Sequence, residues 1–272
     1  MKFDMGAAWQ DATTMMSRNK EVLLVVAGIF FFLPALVQAL LIPGMDQLFT
    51  DTTDPETMQA QVLALYTDWG WLFILTGLLS IVGYLALLSL LRDASRPTVG
   101  DAIKGGFIGL LPAIGTYILF VLLISLIAGL AIGAGAGSGS VAVGIVFGLV
   151  AFIAVVYISV KTSLAAPVVA LDREYNPIKV FARSWKLTKG NSLRIFLFFF
   201  LIMLVYFVIS LIVGMIAALV LAALGNTVGL VVAGLLSAFI GTAVAIVLVA
   251  VLAAMHRQLA GPSAESVSET FD

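Results

Sequence analysis

Residues 105–160 and 195–255 contain no Asp, Glu, Lys, Arg or His. Few folds tolerate such long stretches without an ionisable side chain. A soluble domain carries about 25% charged residues, whereas this chain has 11% charged and 62% hydrophobic residues. A water-soluble particle of 272 residues would leave too much of that apolar surface wet. Lipid accepts it. A helix crossing the hydrocarbon needs roughly 20 apolar residues, and six runs qualify: 22–42, 70–91, 107–132, 141–160, 194–222 and 228–255. The expected fold class is all-α: a polytopic membrane protein with six transmembrane helices paired as three helical hairpins. Residues 1–260 would form a single six-span membrane domain, with 261–272 as a flexible cytoplasmic tail. The first run follows Lys20 and contains Val37-Gln38-Ala39, a weak cleavage match. It exceeds the roughly 7–15 residues of a signal-peptide core. It is expected to stay as an anchor.

Charge placement sets the expected topology. Lys2, Arg18 and Lys20 precede the first run, and Arg92, Arg96 and Lys104 lie between the second and third. Lys161, Arg173, Lys179, Arg183, Lys186, Lys189 and Arg194 flank the loop between the fourth and fifth, and Arg257 follows the sixth. All 14 basic residues thus fall on one side of a six-span layout. The other side has Asp46, Asp51, Asp54, Glu56 and Asp68 and two uncharged turns. The positive-inside rule places both termini in the cytoplasm.

The outer loop 43–69 includes Asp54-Pro55-Glu56, followed by Met58, Val62, Leu65 and Trp69 at helical spacing. A cap residue, a first-position proline and an acid are a helix-start signal. A short amphipathic helix leading into the second span is expected. Trp69 and Trp71 suit the interface as anchors. The Gly133–Ser140 run reads as a flexible hairpin between helices, since neither a preceding strand nor a Lys-Ser/Thr makes it a phosphate loop. Polar cytoplasmic stretches, Gly6–Asn19, Pro97–Gly106 and Pro177–Asn191, precede the odd-numbered spans. The repeating unit is an interfacial helix, a span, an outer turn and a span, three times in one orientation. That differs from the inverted repeats of many alternating-access carriers.

The third of these stretches is the richest. Asn176-Pro177 supplies a cap and a first-position proline. At about 100° per residue, Ile178, Phe181, Ala182 and Trp185 share one face, with Lys179, Arg183 and Lys186 as an adjacent stripe and Val180 and Leu187 beyond it. Such a helix is expected to lie in the headgroup zone, with Phe181 and Trp185 as anchors. Lys179, Arg183, Lys186, Lys189 and Arg194 would reach lipid phosphate.

The order PVVALDREYNPIKVFARSWKLTKGNSLRIF, Pro167 to Phe196, resembles the membrane domain beside some bacterial glycerophosphoryl diester phosphodiesterases and the YciC-type inner-membrane proteins. The residues that carry it are Pro167, Val168–Leu171, Asp172, Asn176-Pro177, Ala182, Ser184, Leu187, Thr188 and Gly190. The resemblance implies a six-span protein of the bacterial cytoplasmic (inner) membrane. It carries over no catalysis, because the phosphodiesterase activity of those proteins belongs to a separate soluble barrel with a His pair and metal-binding acids.

The chain has no Cys and one His. Thiol chemistry and the usual metal-ligand clusters are therefore ruled out. His256 has no acid near it in sequence before Glu265 and reads as an interfacial cation at a helix end. The polar groups at membrane depth are Gln38, Ser80, Tyr84, Thr116, Tyr117, Ser125, Tyr157, Ser159, Tyr206, Ser210, Ser237 and Thr242. None is a carboxylate or an amine, which argues against a proton-driven pump. Gly105/Gly109, Gly129/Gly133, Gly144/Gly148, Gly225/Gly229 and Ser237/Gly241 stand four apart, as close helix packing in lipid favours.

The function expected is non-catalytic: engagement of phospholipid or a membrane partner through the basic cytoplasmic helices, in envelope or lipid homeostasis. The alternative is a transporter or channel for a small neutral or lipid-like solute. No catalytic residue, cofactor, metal or nucleic-acid partner is expected. Membrane phospholipids are the expected partners, with a homo-oligomer or a second membrane protein as further candidates.

Overall fold

The computed structural model describes residues 2–42, 55–92 and 98–261. Asp46, Asp51, Asp54, Arg96, Pro97 and the tail from Pro262 lie outside the described residues. Among those described, the elements are helices α1 (Met5–Ala27), α2 (Leu33–Leu41), α3 (Pro55–Leu90), α4 (Val99–Ser138), α5 (Val141–Thr162), α6 (Ala165–Ala170), α7 (Pro177–Leu187) and α8 (Ser192–Ala260). A π-helical turn, Gly28–Phe32, joins α1 to α2.

The protein is all-α, with six helical stretches long and apolar enough to cross a membrane: Met5–Leu41, Glu56–Leu90, Val99–Ser138, Val141–Ala170, Ser192–Ala223 and Val231–Ala260. Each contains one of the six apolar runs, or all but a residue or a few of it. α8 has 69 residues. It would extend about 100 Å if straight. It is broken at Gly225, whose φ of 76° belongs to the left-handed region that glycine tolerates. The chain doubles back there, and a Cβ on Gly229 would stand 2.6 Å from Leu221 Cα.

Two sequence readings of the end opposite the basic cluster are corrected. The amphipathic stretch after Pro55 is not a separate helix. It continues without a break through the second span as 36-residue α3, because no proline or non-helical residue interrupts it. The Gly133–Ser140 run is not a loose hairpin either. α4 remains helical to Ser138, and the turn narrows to Gly139 (φ 62°) and Ser140. Gly135 and Gly144 then let α4 and α5 approach closely beside the turn.

The polar stretches before the first and third spans are likewise continuous with them. Gly6–Asn19 is the first part of α1, which bends at Asn19 (φ −117°, ψ 15°), and Val99–Gly106 opens α4. α3 lies along its neighbour α4, and α1 lies along α8, far from it in sequence. At the α3–α4 crossing a Cβ on Gly106 would meet the Val82 carbonyl oxygen at 2.5 Å.

The buried core is concentrated at one end of the bundle. It includes Leu23, Val26, Leu85, Leu88, Val168 and Met255. α3 and the last span are the most enclosed. α4, α5 and the first half of α8 have few fully buried residues in their apolar stretches and expose many large apolar side chains, which a bilayer would cover.

Candidate functional site

The well-packed end is also where the cations gather. The start of α1, the end of α5, the α6–α7 loop, α7 and both ends of α8 meet there. The Phe3 N–H donates to Asn191 Oδ1 at 2.8 Å, and Asp4 N–H donates to Gln258 Oε1 at 3.1 Å. Arg257 pairs with Asp11 at 2.9 Å.

α7 begins as its sequence dictates. Asn176 Oδ1 accepts from the N–H groups of Ile178 (3.0 Å) and Lys179 (3.2 Å). Pro177 stands at the first helical position, where its missing N–H costs nothing. Glu174 Oε1 accepts the Asn176 N–H at 3.0 Å. The helix then presents three sectors. Val180, Ser184 and Leu187 are buried. Lys179, Arg183 and Lys186 are exposed. Ile178, Phe181, Ala182 and Trp185 face Leu119 and Leu123 of α4 across a cavity of about 490 Å³. Phe181 and Trp185 stack at 6.1 Å, and Trp185 meets Tyr157 edge-on at 5.7 Å.

The sequence reading turns Ile178, Phe181, Ala182 and Trp185 toward the membrane and leaves Val180 and Leu187 on the far side of the basic stripe. That far side, Val180/Ser184/Leu187, is the face that docks on the protein. Ser184 masks it in the sequence, because a hydroxyl interrupts the apolar pattern. Its O–H donates to the Lys161 carbonyl at 2.8 Å and so pins α7 to the end of α5. Thr188, also buried, donates to the Ser184 carbonyl at 3.0 Å.

The predicted headgroup ligands divide. Arg183 Nε donates to Asp172 Oδ2 at 3.2 Å, and an Arg194 guanidinium N–H donates to the Phe3 carbonyl at 3.2 Å. Lys179, Lys186 and Lys189 are exposed and make no hydrogen bond or ion pair among the described residues. Gly190 (φ 81°) turns the chain between Lys189 and α8. Lys161, grouped by sequence with the loop cations, is only 2% exposed. Its Nζ lies 5.5 Å from the Tyr157 ring centre and 5.6 Å from that of Trp185. Ring quadrupoles there offset lost hydration. Trp69, half-buried, and Trp71, 60% exposed, sit near the middle of α3.

His256 is not an isolated interfacial cation. Its Nε2 stands 3.1 Å from Asp172 Oδ1, in ion-pair range but off hydrogen-bond alignment. Burial pushes the Asp172 carboxyl up. The imidazole of His256 and the guanidinium of Arg183 outweigh that and hold it below the usual carboxylate range, since nearby positive charge favours the ionised form. Asp172 therefore ties α7 to the last turns of α8. The only sequence signal for this was its place in the Pro167–Phe196 order.

Two half-open cavities lie among the spans. One, of about 610 Å³, lies between α3, α4 and the α5–α6 junction and is mostly apolar. The other, of about 320 Å³, lies between α2, α3 and the last span. Gln38, Ser80, Tyr84, Thr116, Tyr117 and Thr242, half of the polar groups picked out at membrane depth, line one or the other. The hydroxyls of Ser80 and Thr116 donate to carbonyls four residues back at 2.8 Å, which leaves their lone pairs for a guest. Gln38 also donates to Thr76 across α2 and α3.

No family description, curated protein or solved structure matches this chain.

Proposed function

We propose that this is a non-catalytic membrane protein of the bacterial inner membrane, with both termini cytoplasmic, that engages anionic phospholipid through α7. The observation that carries the reading is the sector arrangement of α7. Its inner face is docked, yet its outer half presents lysines with no partner among the described residues, beside a partly exposed apolar strip. A helix with that profile suits the headgroup boundary, with rings in the acyl layer and amines at phosphate level. The Pro167–Phe196 resemblance fits this reading. Asp172, Asn176, Ser184 and Gly190 each do a structural job that fixes where the lysines point, so the order would mark a shared basic platform. A role in envelope or lipid homeostasis follows from that platform.

Near an anionic leaflet each lysine contributes about 1 kcal/mol. Exchange of Lys179, Lys186 and Lys189 for Gln therefore removes about 3 kcal/mol, on the order of a hundredfold in affinity. Native mass spectrometry of gently extracted protein should show co-purified phosphatidylglycerol falling in the triple variant. Unchanged retention would refute the reading.

A second reading, passage of a small neutral or lipid-like solute, is favoured by one feature. Phe31, Gly77 and Ser80 line both cavities. Phe31 belongs to the π-helical turn, a distortion frequent at functional sites. Nothing lies within 4 Å of a Cβ built on Gly77, so Gly77→Leu should fill the junction without disturbing the fold. Solute entry into vesicles bearing the wild type, abolished by Gly77→Leu, would support passage. Entry no faster than into protein-free vesicles would exclude it for the solute used.

A further inference from the structure

At the basic end, a cleft of about 370 Å³ separates the end of α3 from α4 and the α6–α7 loop. Arg92, Lys104, Arg173 and Tyr175 line it. Asp101 is the one carboxylate among the described lining residues, and it is engaged in the cap of α4. The Thr98 hydroxyl donates to its Oδ2 at 2.6 Å, and its own N–H donates to Thr98 Oγ1 at 3.2 Å. Lys104 and Arg173 make no hydrogen bond or ion pair among the described residues. Arg173 has φ 54°, the sole non-glycine residue among those described in the left-handed region. L side chains adopt that conformation rarely, and it is enriched where a site needs a particular direction. Among the described residues, three cations from three parts of the chain thus line one cleft with a single carboxylate, Asp101, which is held in its own cap.

The cleft adjoins the larger cavity. Val169 lines both, and a Cβ on Gly109 would stand 3.0 Å from Val169 Cγ1. The partition is therefore two side chains, Val169 and Leu85, whose Cδ1 stands 2.9 Å from the same Cβ position, closed on the bare Gly109 of α4. On its far side lies the apolar volume of about 610 Å³. That size is typical of pockets that hold small molecules. A polar cationic chamber and an apolar chamber sharing one wall match a ligand with a phosphate at one end and a hydrocarbon chain at the other.

We propose that cleft and cavity form one binding site for a phosphate-bearing amphiphile. Lys104 and Arg173 hold the phosphate, and the chain passes between Val169 and Leu85 into the cavity. This deepens the lipid reading, on which it rests, but uses none of the α7 lysines, so the two fail separately.

The test measures binding to the full chain in a neutral detergent. The probes are a lysophosphatidylglycerol of 14-carbon chain, glycerol 3-phosphate and inorganic phosphate. The site predicts saturable binding of the lysolipid, with both chainless phosphates far weaker. Lys104→Gln with Arg173→Gln should weaken lysolipid binding about tenfold, the scale of one to two lost charge contacts. Ala113→Phe, which fills the cavity, should weaken it as well. Lys179→Gln with Lys186→Gln and Lys189→Gln should leave it unchanged. Arg173→Gly removes a cation while relieving the backbone, so it should fold at least as well as the wild type and still bind worse. Full binding by Arg173→Gly overturns the assignment of the cleft. Equal binding of glycerol 3-phosphate and lysolipid overturns the role of the cavity. Loss confined to the α7 variant would move the phosphate site to α7 and overturn the proposal.

Discussion

Gly106 offers a sharp test of how α3 and α4 are held, and with them the walls of both the cleft and the cavity. A methyl group added there would point at the Val82 carbonyl oxygen from 2.5 Å and at Val82 Cγ1 from 3.1 Å. The oxygen belongs to the α3 backbone and cannot rotate away, so the helices must separate. Overpacking of this kind costs about 1–3 kcal/mol, and a backbone obstacle belongs near the upper value. Alanine returns about 1 kcal/mol of helix propensity. Gly106→Ala should therefore destabilise by about 2 kcal/mol, or roughly 4–8 °C in Tm for a chain of this size. Gly129, on the same helix, has nothing within 4 Å of its Cβ position. Gly129→Ala should keep only the gain, about 1 kcal/mol. Thermal unfolding of both variants in one detergent, followed by tryptophan fluorescence, should show shifts of opposite sign. Equal shifts of the same sign would refute the helix crossing described above.

Two further outcomes follow from the basic end. The Asp172 carboxyl is held below its ordinary range in the folded protein, so its contribution is complete above about pH 4 and fades as pH falls through the folded value. Asp172→Asn should thus cost about 1–3 kcal/mol at neutral pH, and the gap to the wild type should close in acid. A gap that does not change with pH would show that the contacts with Arg183 and His256 are not electrostatic. Asn191→Ala removes the acceptor for the buried Phe3 N–H, again a loss of about 1–3 kcal/mol. Amide exchange at residues 2–8 should speed up in that variant, and unaltered protection would contradict the anchoring of α1 to α8.

The spans were legible because a bilayer imposes a simple rule on sequence: long apolar runs without charge. What lay inside them was not, since Ser80 and Thr116 look the same in sequence whether they face lipid or a cavity. The helical Gly133–Ser138 segment was misread because its glycines, read as turn residues, let α4 pack closely on α5, as Gly135 does on Gly144. At the site, the clustering of cations was visible, but their division of labour was not. Arg194 finds the Phe3 carbonyl, Lys161 disappears beneath Trp185, and Asp172 reaches His256 across the fifth and sixth spans. Each of these contacts joins residues far apart in the chain, and no local pattern encodes them. Asn176 and Pro177 are the reverse case: a cap and a first-position proline act within one turn, and both stand where their neighbours in the chain require them.

The reading of α7 as a lipid-binding platform depends on the basic end facing the cytoplasm. The chain has no cysteine, so single cysteines can be added as clean reporters. Lys186→Cys lies on the exposed stripe of α7, and Leu63→Cys replaces a side chain 67% exposed near the start of α3. With a membrane-impermeant maleimide on spheroplasts, Leu63→Cys should label in intact cells and Lys186→Cys only after the membrane is opened. Labelling of Lys186→Cys in intact spheroplasts would put α7 on the outer side and contradict the proposed orientation.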